Sequence, residues 1–161
     1  RLERKKAPLT FLAKNVLKDN RQFHSSDNAY WSVSDLRKFC NGDLYNSLPE
    51  DLQSAISEVI KFSDTGSIGK SLENVNDKVW ICSAEELGVE SDYIVPGQGT
   101  TYSVFTDDNS RIRGTDGGYW TRSSLIYSSN IACIIYASSG ISDKGVYQNN
   151  STIYCLPGFC I

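Results

Sequence analysis

Asp77-Lys78-Val79-Trp80-Ile81-Cys82-Ser83-Ala84-Glu85-Glu86-Leu87-Gly88 divides the chain into two stretches of different character. Val79 to Cys82 is an unbroken apolar run with the length and composition of a short buried strand. Ser83 to Gly88 then reads as a single capped helical turn, with a hydroxyl at its start and a glycine at its stop. Upstream lie most of the charge and the clearest helical periodicity. Downstream, Gly, Ser, Tyr and Asn dominate. Helices first and a small meander last predict an α+β domain.

Working upstream, Asp64 to Asn76 is polar, carries two glycines and is expected to be a loop. Before it, Pro49 to Phe62 reads as a helix. Ser47-Leu48-Pro49-Glu50 has the pattern of a capping box with proline in the first turn, and Leu52, Ile56, Val59 and Ile60 form one apolar stripe. Ser34 to Asn41 is a second helix, with Leu36, Phe39 and Cys40 at helical spacing. Ser32 or Ser34 can cap it, and Gly42 can end it. The start, residues 1 to 9, is a basic extension in which Arg1, Arg4, Lys5 and Lys6 face a lone Glu3; it reads as a solvated tail.

Working downstream, residues 89 to 118 form a long loop region rich in Gly, Asp and Asn, with a strand or turn near Tyr102 to Phe105. Strands follow at Tyr119 to Arg122, Ile131 to Tyr136, Gly145 to Gln148 and Ile153 to Ile161. They are short, rich in β-branched and aromatic residues, and separated by turns such as Ser138-Ser139-Gly140 and Asn149-Asn150. Ile131, Cys133 and Ile135 alternate and are assigned inward. Trp31, Trp80 and Trp120 are expected in the core. Trp120-Thr121-Arg122 is expected to anchor the last strands, with Arg122 bonding backbone carbonyls or a carboxylate such as Asp116.

The gross numbers bound the function. A chain of 161 residues fits a single domain, 1 to 161. A net charge of -3 with 22% charged residues argues against a general nucleic-acid binder. No apolar run approaches the ~20 residues of a membrane span, and no leader pattern is visible. The chain has no methionine, even at its start, and is expected to be a piece of something longer. Cys40, Cys82, Cys133, Cys155 and Cys160 lack zinc-type spacing, and the first three sit among apolar neighbours as small core residues.

Six blocks then carry a resemblance. They are Trp31 to Asn41, Leu44 to Gln53, Asp77 to Leu87, Ser110-Arg111-Ile112, Tyr119-Trp120-Thr121-Arg122-Ser123 and the closing Pro157-Gly158-Phe159-Cys160-Ile161. In this order the chain, from about Thr10 onward, resembles phage and bacterial C-type-lectin-like domains related in fold to the formylglycine-generating enzymes. The resemblance implies a C-type lectin fold of that subtype, with two helices packed on small antiparallel sheets and long loops. Many members of the family look like variable proteins of diversity-generating retroelements, in which adenine-containing codons near the 3′ end are rewritten. The implied role is non-enzymatic: a receptor-binding tip on a virion tail, or a cell-surface adhesin, that binds a protein or cell-surface ligand.

Residues 123 to 154, the expected variable region, contain eight Ser, six Ile, four Tyr and three Asn, so four residue types fill 21 of 32 positions. Substituting adenines in Asn codons yields much of this mixture, and Ser, Tyr, Gly and Asn are also what paratopes favour. Lys144 and Gln148 do not arise that way and are expected to lie outside the rewritten set or to come from other codons. The expected binding residues are Tyr127, Ser128, Ser129 and Asn130 in a loop, then Tyr136, Ser138 and Ser139, then Ser142, Asp143, Lys144, Tyr147, Asn149 and Asn150. The tyrosines are the expected anchors. Homo-oligomeric display would add avidity to weak single contacts.

Two other functions compete with this. A fixed-specificity lectin or adhesin would favour calcium, for which Asp107-Asp108-Asn109 supplies oxygens but no EF-hand loop. The related oxygenase holds copper with two cysteines near its C-terminus, and Cys155 and Cys160 invite comparison. Here the intervening Leu156-Pro157-Gly158-Phe159 is apolar, and both cysteines read as structural. A lone His24 excludes a two-histidine metal site, no G-x-S-x-G elbow exists, and Gly66 to Ser71 lacks P-loop spacing. Neither a metal nor a cofactor is expected.

Overall fold

The computed structural model describes residues 9–65 and 71–161, apart from the side chains of Asp143 and Lys144. The basic start and the glycine-bearing stretch 66–70 lie outside the described residues. Among the described residues the chain folds as a small α+β domain with few helices and three small antiparallel sheets. Among the described residues, no helix is long and apolar enough to cross a membrane.

The first sheet has the order β1-β8-β4, from Thr10–Leu12, Pro157–Cys160 and Val79–Ile81. All three residues of β4 are buried, as its apolar run predicts. The middle strand is crossed by two large side chains, and this explains its glycine. A Cβ on Gly158 would lie 2.6 Å from Leu12 Cδ2 and 2.9 Å from the Trp80 ring. The strand predicted over 153–161 is confined to its last residues. Before Pro157 the chain makes isolated contacts instead, with Tyr154 bridging Asn20 and Tyr119.

The helical half departs further from expectation. Ser34 caps α1 (Asp35–Phe39) by accepting from the Arg37 amide, but the helix does not stop at Gly42. It runs on as a π-helical turn over Cys40–Leu44. The helix predicted over 49–62 ends early: α2 is Glu50–Ala55, and Ile56 is already extended. Val59–Asp64 is β2, paired in antiparallel register with β3, Leu72–Asp77, inside the predicted loop. Val59 and Ile60 fit either period, and pairing with β3 decides between them. Lys61 and Ser63 then face inward, while Ile60 and Phe62 are exposed. The expected capping box is also absent, because Ser47 Oγ turns back to the Leu44 carbonyl.

Asp77 welds the two halves together. Its buried carboxylate accepts from Trp31 Nε1 at 2.6 Å, Arg37 Nε at 2.7 Å and Asn41 Nδ2 at 3.1 Å. Asn41 Oδ1 in turn accepts from the amides of Lys78 and Val79.

The third sheet, β5-β6-β7, comprises Gly118–Ser124, Ile131–Tyr136 and Ser142–Tyr147. Cys133 and Ile135 of its central strand are inward as expected, but burial does not alternate along it. Ala132, Cys133, Ile134 and Ile135 are all buried, and Ile131 only partly. Continuous burial means that both faces are covered, so an apolar run replaces alternation. Trp31, Trp80 and Trp120 lie fully inside, as expected.

The crossing at Gly158 makes a clear prediction. Gly158→Ala should lower stability by about 1–3 kcal/mol through overpacking, seen as a lower urea midpoint at unchanged slope. An unaltered midpoint would show that Leu12 and Trp80 yield freely.

Candidate functional site

The last sheet rests on a buried ionic set built around the turn after β4. Ser83 and Glu86 form a reciprocal capping box: the Glu86 amide donates to Ser83 Oγ, and the Ser83 amide donates to Glu86 Oε2, each at 3.1 Å. The same carboxylate accepts from Lys61 Nζ of β2 at 2.9 Å and from Arg122 Nη1 of β5 at 2.6 Å. Lys61 also sits 3.5 Å above the Trp80 ring and donates to Tyr102 Oη at 2.8 Å.

Arg122 is fully buried and spends its remaining donors on main-chain carbonyls of Phe62, Ile81 and Gln98. The expectation of carbonyl partners holds, but the carboxylate is Glu86. Asp116 is exposed on the loop before β5. Next to this set, Asp64 accepts from both the amide and the hydroxyl of Ser124. Gln98 pins its loop to β5 through Ser123 Oγ and to Val95 through its amide.

Upon this platform the predicted binding residues separate into two groups. β6 and β7 run antiparallel, with Ile131 opposite Tyr147 and Ile135 opposite Ser142. Tyr127, Ser128, Ser129, Asn130, Tyr147, Asn149 and Asn150 therefore gather at one end. Tyr136, Ser138, Ser139 and Ser142 lie at the other, about 16 Å away along the strand. Asp143 pairs with Ile134 through the backbone, and Lys144 follows it in β7. Ser142 to Lys144 are thus strand residues, since β7 begins three positions earlier than predicted. Ser142 is only partly exposed, and its hydroxyl lies 3.3 Å from Cys133 Sγ.

The first end is held by main-chain hydrogen bonds from three segments. The Ile126 amide donates to Tyr93 O, Gln148 N to Asn130 O, Ala29 N to Ser129 O, and both Phe23 N and His24 N to Gln148 O. Gln148 is buried and donates its side-chain amide to Ser26 O, while its neighbours Tyr147 and Asn149 are exposed. The tyrosines project most, with Tyr127 76% and Tyr147 61% exposed. Tyr93, 45% exposed, belongs to the same end. Sequence reading passed over it; the polar Ser91-Asp92 before it was the available signal. The segment 23–29 was likewise missed, because only folding brings it beside Ser129.

The second end is smaller. Tyr136 is 43% exposed, and Gly140 is held by Arg111 Nε donating to its carbonyl at 2.8 Å. At φ +69°, with a Cβ that would overlap Asp108 O, that position requires glycine.

Asp108 pairs with Arg111, and Asp107 Oδ1 accepts from the Ser110 amide. Cys155 meets Cys40, and Cys160 meets Thr10, so the two C-terminal thiols face different partners. Among the described residues, no group of three or more His, Cys, Asp or Glu side chains converges as metal ligands. His24 Nε2 lies 2.9 Å from Ser26 Oγ. Its Nδ1 is 3.1 Å from Asp35 Oδ2 but without hydrogen-bond geometry. Asp35 Oδ2 instead accepts the Ser25 amide, and hydrogen bonding from Ser25 holds its carboxyl well below the usual range against the opposing effect of burial.

The family described as Domain of unknown function (DUF6273) matches residues 9–161. Neither curated proteins nor solved structures gave a match.

The buried set predicts an acid response. Burial raises the Glu86 pKa, but Arg122 and then Lys61 outweigh it, so the carboxyl is held below its ordinary value. Its stabilising contribution is therefore complete above the unfolded value of about 4.3 and is lost as pH falls towards the folded value. Glu86→Gln leaves two cations without a counter-charge and should cost about 3–5 kcal/mol at pH 7. Urea melts at pH 7 and pH 3 should show the wild type losing much more than the variant. Parallel losses would dissociate the acid response from Glu86.

Proposed function

The chain belongs to the DUF6273 family, and we propose that it is a non-enzymatic recognition module of C-type lectin fold, in the formylglycine-generating-enzyme-like form. Its binding surface is the first end of the β5-β6-β7 sheet, centred on Tyr127 and Tyr147, with Ser128, Ser129, Asn130, Asn149 and Asn150 around them. Tyr136, Ser138, Ser139 and Ser142 at the far end, with Asp143 and Lys144 on β7, serve as a secondary contact set. The ligand is a protein or cell-surface molecule. The surface is diversified by retroelement mutagenesis and displayed on a virion tail or cell surface.

One observation carries this reading: the most exposed large rings stand on the turn after β5 and at the end of β7, where main-chain bonds and buried Gln148 set the backbone. Side chains that contribute little to the framework can change without refolding it, and tyrosine supplies rigid contact area at low entropic cost. Gln148, which adenine substitution in Asn codons does not produce, is a framework residue between two exposed neighbours. The 123–154 stretch also includes buried Ser123, Ser124, Ile134 and Ile135. Diversification that preserves the fold should spare those four.

The DNA downstream of the coding sequence tests this directly. A template repeat should differ from the gene at adenines in codons for Tyr127, Ser129, Tyr147 and Asn149, with codons for Arg122 and Gln148 unchanged. Differences scattered over buried positions, or no repeat at all, would remove the diversification claim. Separately, Tyr127→Ala with Tyr147→Ala should move stability by no more than about 0.5 kcal/mol per site. A loss of several kcal/mol would make the rings structural.

A further inference from the structure

We propose that Cys40 and Cys155 are a disulfide-forming pair, which under oxidising conditions ties the helical front of the domain to the segment leading into β8. The two sulfurs are 3.8 Å apart and both side chains are fully buried. All five cysteines are free thiols in this structure. A disulfide spans about 2.05 Å, so the sulfurs need approach by less than about 2 Å. Cys133 and Cys160 are placed differently, at 3.3 Å and 3.5 Å from the hydroxyls of Ser142 and Thr10.

Neighbouring contacts hold the pair in position. Cys40 opens the π-helical turn, between Arg37 and Asn41, both of which bond Asp77. The Cys155 carbonyl accepts from the Leu17 amide at 2.9 Å, and Tyr154 beside it is bonded on both sides to β5. The residues are 115 positions apart, so a bond between them would close most of the chain into one loop. That is the arrangement in which a cross-link restricts the unfolded chain most.

The chemistry balances with a small disulfide as oxidant, such as glutathione disulfide. One cysteine thiolate attacks a glutathione sulfur and releases the first glutathione. The second cysteine then attacks the mixed disulfide and releases the other. Two protein thiols lose two electrons and two protons, and one glutathione disulfide becomes two glutathione thiols. Hydrogen bonding to Cys155 and burial push the Cys40 thiol well above its ordinary range. Exchange in the folded protein is therefore slow, and the bond forms during folding or local opening. This inference is independent of what the tyrosine surface binds.

The full chain should be refolded in a glutathione disulfide/glutathione buffer and, in parallel, with a phosphine reductant. After oxidative refolding, titratable thiols under denaturing conditions should fall from five to three. Non-reducing peptide mapping should then recover one linkage, Cys40 to Cys155. The oxidised protein should melt about 5–15 °C higher, a gain erased by the reductant and absent in Cys40→Ala and Cys155→Ala. Five thiols remaining, or linkage through Cys82, Cys133 or Cys160, would overturn the proposal. Should either variant fail to fold, the wild-type peptide map decides alone.

Discussion

Glu86 is a single carboxylate shared by two cations from different strands, Lys61 of β2 and Arg122 of β5, and capped by the amide of Ser83. Such a set forms only when the hairpin β2-β3, the turn after β4 and the strand β5 all reach their places together. A buried charge that loses one partner is strongly destabilising, whereas the complete set is close to neutral against an apolar replacement. Its effect is thus to exclude arrangements in which any one member is displaced. Arginine suits β5 because its planar fork reaches three carbonyls as well as the carboxylate, which a lysine ammonium on a flexible stem would not match. Those carbonyls belong to Phe62, Ile81 and Gln98, on two strands and one loop.

The long stretch between β4 and β5 depends on this arrangement. It has little regular structure beyond a short 3₁₀ turn at Asn109–Arg111, so its main-chain groups need partners from elsewhere. Arg122 and Glu85 bond the main chain of Gln98, Ser123 holds its side-chain oxygen, and Arg111 bonds the Leu87 carbonyl, reaching also that of Gly140 after β6. Asp77 plays the corresponding part on the helical side, gathering Trp31, Arg37 and Asn41. Two buried carboxylates therefore organise a domain whose helices are each under two turns of regular α-helix.

A surface held in this way has its shape set from beneath. Backbone bonds from residues 23–29, Tyr93 and Gln148 fix the loops around Tyr127 and Tyr147, which leaves the exposed rings free of a framework role. The far end, by contrast, carries Gly140, a position that only glycine fits, and the Arg111 contacts. The two ends thus differ in how freely their side chains could be exchanged, and this favours the Tyr127/Tyr147 end as the proposed binding surface.

Local pattern by itself determined the buried strand at Val79–Ile81, the capped turn after it, the start of the first helix at Ser34, the strand Ile131–Tyr136 and the burial of all three tryptophans. Each of these depends on near neighbours or on sheer apolar size. Tertiary structure decided the rest. Val59 to Phe62 became strand because β3 was available to pair with it, although the apolar spacing fitted a helix equally well. Ile134 is buried because β6 is covered on both faces, and Arg122 chose Glu86 over the sequence-near Asp116. The residues proposed for binding were legible as a type of composition, but their division between two ends of the sheet was not. An antiparallel register sends positions a few residues apart to opposite edges and brings positions a hundred residues apart together, and no reading of neighbours along a chain contains that information.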